Sequence, residues 1–188
     1  MIILASASPR RCEILSEILG VGEFLVIPAS IDERAVHCQD PAEYVRVLAE
    51  RKADAVLGTH PEDTVLGADT CVCLDGRILG KPESGAEAAD MLHALSGREH
   101  SVYTGWCLAG SGRRESGVTR TRVFFRTLAE DFIWEYIRSG APMDKAGAYG
   151  IQDDPRLVEK YEGSYTNIVG LPKEEIREAF TAFGIVQP

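Results

Sequence analysis

TVLGADTCVCLDGRILGKP, residues 64–82, decides the fold. Residues 64–74 are apolar and rich in β-branched side chains, the composition of a buried strand. Asp75-Gly76 is a strong two-residue hairpin signal, RILG at 77–80 returns, and Lys81-Pro82 ends the second strand. With Asp75-Gly76 as the turn, Leu74 faces Arg77, and counting outward sets Thr70 opposite Lys81 with Asp69 beside them. A carboxylate, a hydroxyl and an ammonium therefore gather at one end of a sheet. Such a carboxylate can hold Mg²⁺ or activate water, and a lysine can neutralise a phosphate as a point charge. The plain alternative is a surface ion pair between Asp69 and Lys81, which is worth little. GRILGKP is not a Walker A loop, because its glycines are too close and Pro82 stands where a metal-binding Ser or Thr is needed. Cys71 and Cys73 alternate along the strand, share one face, and read as buried thiols rather than metal ligands.

Upstream, residues 2–5 form a short buried strand, Ser8 is an N-cap, and Pro9 takes the first helical position. Ile14, Leu15, Ile18 and Leu19 follow at helical spacing up to Gly20. A second strand fits 24–29, and a helix starts at Asp40-Pro41 and runs through Leu57, with Val45, Leu48, Ala49, Ala53 and Val56 as its apolar stripe. Downstream, Ser84–Leu95 reads as a helix, and 99–109 and 117–126 as antiparallel strands joined by the loop GSGRRESG. Leu128–Arg138 is helical, 144–152 is Gly-rich and irregular, a helix or turn falls near 156–162, and Pro172 opens a last helix through Phe183. Strands alternate with helices, and hairpins are inserted between them. That pattern predicts one α/β domain over residues 1–188, a mixed sheet flanked by helices.

The formal net charge of -9 argues against binding a nucleic-acid polymer. A local basic cluster in an acidic chain suits a small anionic ligand instead. No apolar run approaches the ~20 residues of a membrane span, and the short apolar N-terminus precedes its charges, the reverse of a signal peptide. The five cysteines are scattered and read as free thiols, so the expected location is cytoplasmic. The four histidines are dispersed without a metal-binding pattern.

LASASPRR, residues 4–11, places Arg10 and Arg11 at a helix start, where the peptide dipoles already present positive charge. A bound phosphate resolves that conflict, since the helix N-terminus, Ser6, Ser8 and the guanidinium forks all suit its oxygens. The alternative is a capped helix with solvated arginines. Glu33 in IDER and Lys52 in the following helix are, by themselves, ordinary solvated charges. In DKAGAYGIQ, residues 144–152, the glycines permit close backbone approach to a ligand, and the Gln152 amide matches the donor–acceptor edge of uracil or thymine.

SASPRR, IDE, ERKA, GADT, GKP, SGREHSVYTG, DKAGAYGIQ and GSYTNIVGLP, in this order, resemble the Maf family of nucleoside triphosphate pyrophosphatases from about Leu4 to Pro172. The resemblance implies a strongly twisted mixed sheet with two lobes around a cleft, similar to the inosine triphosphate pyrophosphatases. It implies hydrolysis between the α- and β-phosphates with a divalent cation, Mg or Mn, and a homodimer. Asp69 matches the proton acceptor, Glu33, Lys52 and Lys81 further active-site charges, and Ser8, Arg10 and Arg11 phosphate contacts. Glu33 and Asp69 are the implied metal ligands. Arg10, Thr70 and Gln152 match positions linked to substrate selection, and the loop looks like that of the dTTP/UTP branch rather than its 7-methyl-GTP sister. Asp153, Asp154 and Lys173 depart from the family's usual residues, which makes the two aspartates candidates for the pocket rim or the metal. Rival readings are a nucleotide-binding regulator of cell division without turnover, and the same chemistry on a purine.

Overall fold

The computed structural model describes residues 1–20 and 23–187. Strand β1 (Ile2–Leu4) leads into helix α1 (Pro9–Leu19), and β2 (Phe24–Val26) returns parallel to β1. Helix α2 (Pro41–Leu57) precedes β3 (Thr64–Leu74), which turns into β4 (Arg77–Leu79). Helix α3 (Gly85–Leu95), strands β5 (Glu99–Gly110) and β6 (Arg113–Phe125), and helix α4 (Glu130–Arg138) follow. Strand β7 (Val158–Glu162) and helices α5 (Tyr165–Val169) and α6 (Lys173–Ala182) complete the chain. The sheet runs β2-β1-β3-β5-β6-β7, with β4 beside the far end of β3, which makes it the expected mixed α/β sheet.

Local chemistry sets the element starts. Ser8, Asp40 and Ser84 accept hydrogen bonds from the amides of Arg11, Glu43 and Glu87, and so cap α1, α2 and α3. Asp75 and Gly76 both take positive φ, 51° and 78°, as a tight hairpin turn between right-twisted strands requires.

Alternation along the strands separates the cores. Ile3, Val65, Cys107 and Ala109 pack on one face, against Ala49, Ala53 and Val56 of α2. Leu4, Leu66, Ala68 and Leu108 pack on the other, against α1 and α6. Farther along β3, Val72 and Leu74 join a third cluster with α3 and α4. Strand β3 therefore contributes to all three clusters, two on opposite faces near its start and the third at its far end.

Three expectations are corrected. The loop expected over 110–117 is a two-residue turn, Ser111-Gly112, and 113–117 continues β6, opposite Gly110 to Trp106. The long ladder with β5 outweighs the turn preference of that polar, Gly-containing stretch. Residues 158–162, expected as helix or turn, form edge strand β7 on β6; the segment's polar side chains hid its period. Strand β4 ends at Leu79, opposite Val72, so the expected pairing of Thr70 with Lys81 does not form; the strand partner of Thr70 is Thr104 of β5, on the other edge.

Candidate functional site

One edge of β3 pairs with β1 at residues 64–66 and with β4 at residues 72–74. Between them, at Gly67 to Cys71, that edge has no strand partner among the described residues. An open cleft of about 920 Å³ lies there, beyond the carboxyl end of β1, where open α/β sheets bind ligands. Its walls are the core packed by α1 and α6 and the core packed by α3 and α4, both of which β3 enters. Ser8, Arg10 and Arg11 line one side, and Lys81 with residues 143–146 and 149–152 line the other.

Consecutive strand residues point to opposite faces, so Asp69 and Thr70 diverge. Asp69 turns towards α2, where Lys52 Nζ lies 2.5 Å from its Oδ1 and 2.8 Å from Glu33 Oε1. Lys52 sits at the centre of the buried stripe of α2, between Leu48 and Val56. Its ammonium is thus held in the fold and shared by two carboxylates. Burial pushes the Asp69 carboxyl up, while Lys52 and Arg11 pull it down, and burial wins. At Glu33 burial also opposes ionisation, but the bond and charge of Lys52, with Lys81 and Arg11, hold its carboxyl below the ordinary value. The cleft therefore pairs a reluctant carboxylate with a stable one.

Thr70 turns towards α1. Its Oγ1 accepts from Arg11 Nη2 at 3.0 Å and lies 2.9 Å from Thr104 Oγ1, which donates to the Asn167 carbonyl at 3.0 Å. Arg11 also donates to Gly170 O at 2.8 Å and to Ser6 Oγ at 3.1 Å. This arginine bridges the loop after β1, strand β3 and the turn after α5. Burial lowers its pKa and nearby Asp69 opposes that fall. Arg10 is freer, with one ion pair to Asp144 across the cleft at 3.5 Å.

The glycines of 144–152 approach protein rather than open space. A Cβ on Gly147 would meet Val72 Cγ2 at 2.8 Å, and one on Gly150 would meet Asp153 Oδ1 at 2.8 Å. Gln152 is exposed and lines the cleft. Asp153 and Asp154 are engaged elsewhere: Tyr136 donates to Asp153, and the guanidinium and amide of Arg156 donate to Asp154. Lys173 pairs with Glu17 of α1, away from the cleft. Lys81 is exposed on the rim. Cys71 and Cys73 are both buried, and burial raises both thiols. Sequence reasoning treated Lys52 as solvated, although a lysine seven residues after Val45 and four before Val56 falls inside that helix's apolar stripe. Tyr44, which also lines the cleft, went unnoticed there because an aromatic in an amphipathic helix looks like core.

Among the described residues no group of three or more acidic, histidine or cysteine side chains gathers as a metal cage. Magnesium keeps several waters and is commonly bound through one or two carboxylates plus substrate phosphates. Glu33 and Asp69, converging on one ammonium, fit that donor set.

A mixed sheet whose central strand is open at a cleft, with a capped, arginine-bearing helix start on one wall and a buried carboxylate on its floor, defines an α/β protein with a charged cleft at its sheet edge. A family model described as Maf-like protein matches residues 1–183, and the chain belongs to that family. A dTTP/UTP pyrophosphatase of Thermococcus kodakarensis is 52% identical, covering 94% of this chain and 93% of its own length. One from Thermococcus onnurineus is 48% identical over 99% of this chain and 100% of its own. Among solved structures, a HAM1 protein from Coxiella burnetii aligns with a TM-score of 0.49 and 17% identity, over 96% of this chain and 98% of that one.

Proposed function

We propose that the protein hydrolyses nucleoside triphosphates, dTTP and UTP foremost, to the monophosphate and pyrophosphate. The names of its relatives support the substrates. The observation that carries the chemistry is the Glu33–Lys52–Asp69 chain, which brings a buried carboxylate to the cleft floor beside the Ser8–Arg11 helix start.

In this reading the triphosphate lies along the start of α1. Arg10 exchanges its long contact with Asp144 for phosphate oxygens, and Ser8 adds its hydroxyl. Arg11 holds that wall in place and contributes its charge. Lys81 approaches the phosphates from the opposite rim. Asp69 accepts the proton of a water that attacks the α-phosphorus; its raised proton affinity suits it to that task. Lys52 stabilises the two carboxylates and orients Asp69. A Mg²⁺ or Mn²⁺ held by Glu33 and Asp69 would draw charge from the phosphates and the leaving pyrophosphate. Gln152 pairs with the pyrimidine edge, and Thr70 shapes the cleft between base and phosphates. A homodimer in the cytoplasm is the assembly and location proposed with it, on the family resemblance. No helix among the described residues is long and apolar enough to cross a membrane.

Pyrophosphate release from a nucleotide panel with Mg²⁺ or Mn²⁺ tests the proposal. UTP and dTTP should exceed GTP, ITP and 7-methyl-GTP. Tight binding with no release from any of them would make the protein a regulator instead, and preference for a purine would overturn the base assignment.

A further inference from the structure

The segment that carries Gln152 is held by a side chain outside the cleft. Gly150, Ile151, Gln152 and Asp153 form a β-turn closed by the Asp153 amide on the Gly150 carbonyl at 3.0 Å. Ile151 and Gln152, its central residues, both line the cleft. Both ends of this turn meet one phenol. The Gly150 amide donates to Tyr136 Oη at 3.1 Å, and Tyr136 Oη donates to Asp153 Oδ2 at 2.5 Å. Tyr136 is buried on α4 and stacks with Phe132, so its ring is fixed by the core rather than by the turn. Burial and the acceptor Asp153 both raise its pKa, which keeps the hydroxyl protonated and able to donate. Lys145 Nζ lies 3.4 Å from Asp153 and donates to the Ala141 carbonyl at 2.6 Å, closing the far side. The space is tight: a Cβ on Gly150 would come within 2.8 Å of Lys145 Cε.

We propose that Tyr136 and Asp153 form a latch that positions the Gly150–Asp153 turn and so sets base selectivity through Gln152. The proposal rests on Gln152 reading the base, as above. An amide on a two-residue turn tip discriminates only if the turn is rigid, because a mobile amide can rotate to satisfy either edge of a base. The phenol supplies that rigidity by accepting from one end of the turn and donating to the other. Tyr136 and Asp153 are positioning residues and do not contact the substrate. Asp153 is thus assigned to the scaffold of the base pocket rather than to a metal.

The test compares Tyr136→Phe, Asp153→Ala and Asp153→Asn with wild type by steady-state kinetics on UTP and GTP and by amide hydrogen exchange of peptides spanning residues 148–155. Tyr136→Phe and Asp153→Ala should raise KM for UTP and lower the UTP-over-GTP ratio of kcat/KM by about tenfold, leaving kcat for UTP within about twofold. Exchange in the segment should speed up in both. Asp153→Asn keeps an oxygen to accept from Tyr136 and should restore most of the selectivity. Folded Tyr136→Phe and Asp153→Ala proteins with wild-type selectivity and exchange overturn the latch. Should Tyr136→Phe fail to fold, Asp153→Ala at the exposed end of the contact decides by the same readouts. A wild type without base preference sinks the reading of Gln152 instead, and the exchange data then judge the latch alone.

Discussion

Arg10 and Arg11 are neighbours with different work. Arg11 spends three N–H groups on Gly170, Ser6 and Thr70, whereas Arg10 has one long, partly exposed ion pair. Arg10→Ala should lower kcat/KM by about tenfold or more while thermal unfolding shifts by no more than about 1 kcal/mol. Arg11→Ala should cost about 2–3 kcal/mol as well as activity, because it strands buried oxygens; chemical denaturation of both variants separates the roles. Asp69→Asn should reduce turnover at least about 100-fold, and full activity would remove Asp69 from the reaction. A pH effect belongs to this scale too. His100 is buried against Phe125 and Tyr149, its Nε2 lies 2.7 Å from Tyr149 Oη, and burial, only partly offset by Glu99, lowers its pKa from 6.5 to about 4. Below 6.5 the unfolded chain takes a proton that the folded chain refuses until about 4, so stability present above that window drains as pH falls through it. The loss is of order 3 kcal/mol. Urea unfolding from neutral pH to about pH 5 should show about 2 kcal/mol of it, and His100→Gln should flatten that slope.

At the scale of elements, the placement of Lys52 depends on two glycines in the strands beneath α2. A Cβ on Gly67 would meet Ala49 O at 2.2 Å, and one on Gly105 would meet Val45 O at 2.3 Å. The helix backbone lies directly on the sheet there, which is how an ammonium from α2 reaches Asp69. Gly105→Ala must push the helix away, since backbone cannot yield as a flexible side chain would. A loss of about 3 kcal/mol is expected, near the upper range for overpacking, or roughly 6–12 °C in Tm for a chain of this size. Activity should fall in the fraction that stays folded, because Lys52 moves with α2. An unchanged Tm would show that the helix has room. Element boundaries were legible wherever capping chemistry was strong: Ser8-Pro9, Asp40-Pro41, Ser84 and Asp75-Gly76 all mark observed starts and turns. They were illegible at 113–117 and 158–162, where polar residues form strands solely because a long neighbour offers its edge.

At the scale of the molecule, the cleft is the gap between β1 and β4 along β3, walled by two cores that β3 and α5 both enter. A nucleotide spanning it would join both walls. A non-hydrolysable UTP analogue at a hundredfold excess over its Kd should add about 2.7 kcal/mol, seen as a rise of roughly 5–10 °C in Tm. No shift with any nucleoside triphosphate would count against the cleft as the binding site. Sequence by itself determined the α/β class, the capped helix start and the ordered motifs that mark the family, because capping, periodicity and hairpin turns act within a few residues. Tertiary structure alone decided that Asp69 partners Lys52 rather than Lys81, that Arg11 braces the wall, and that Tyr136 of α4 meets Asp153. Those choices depend on which face of β3 each residue presents and on what packs there, and neither is encoded in the spacing of residues along one segment.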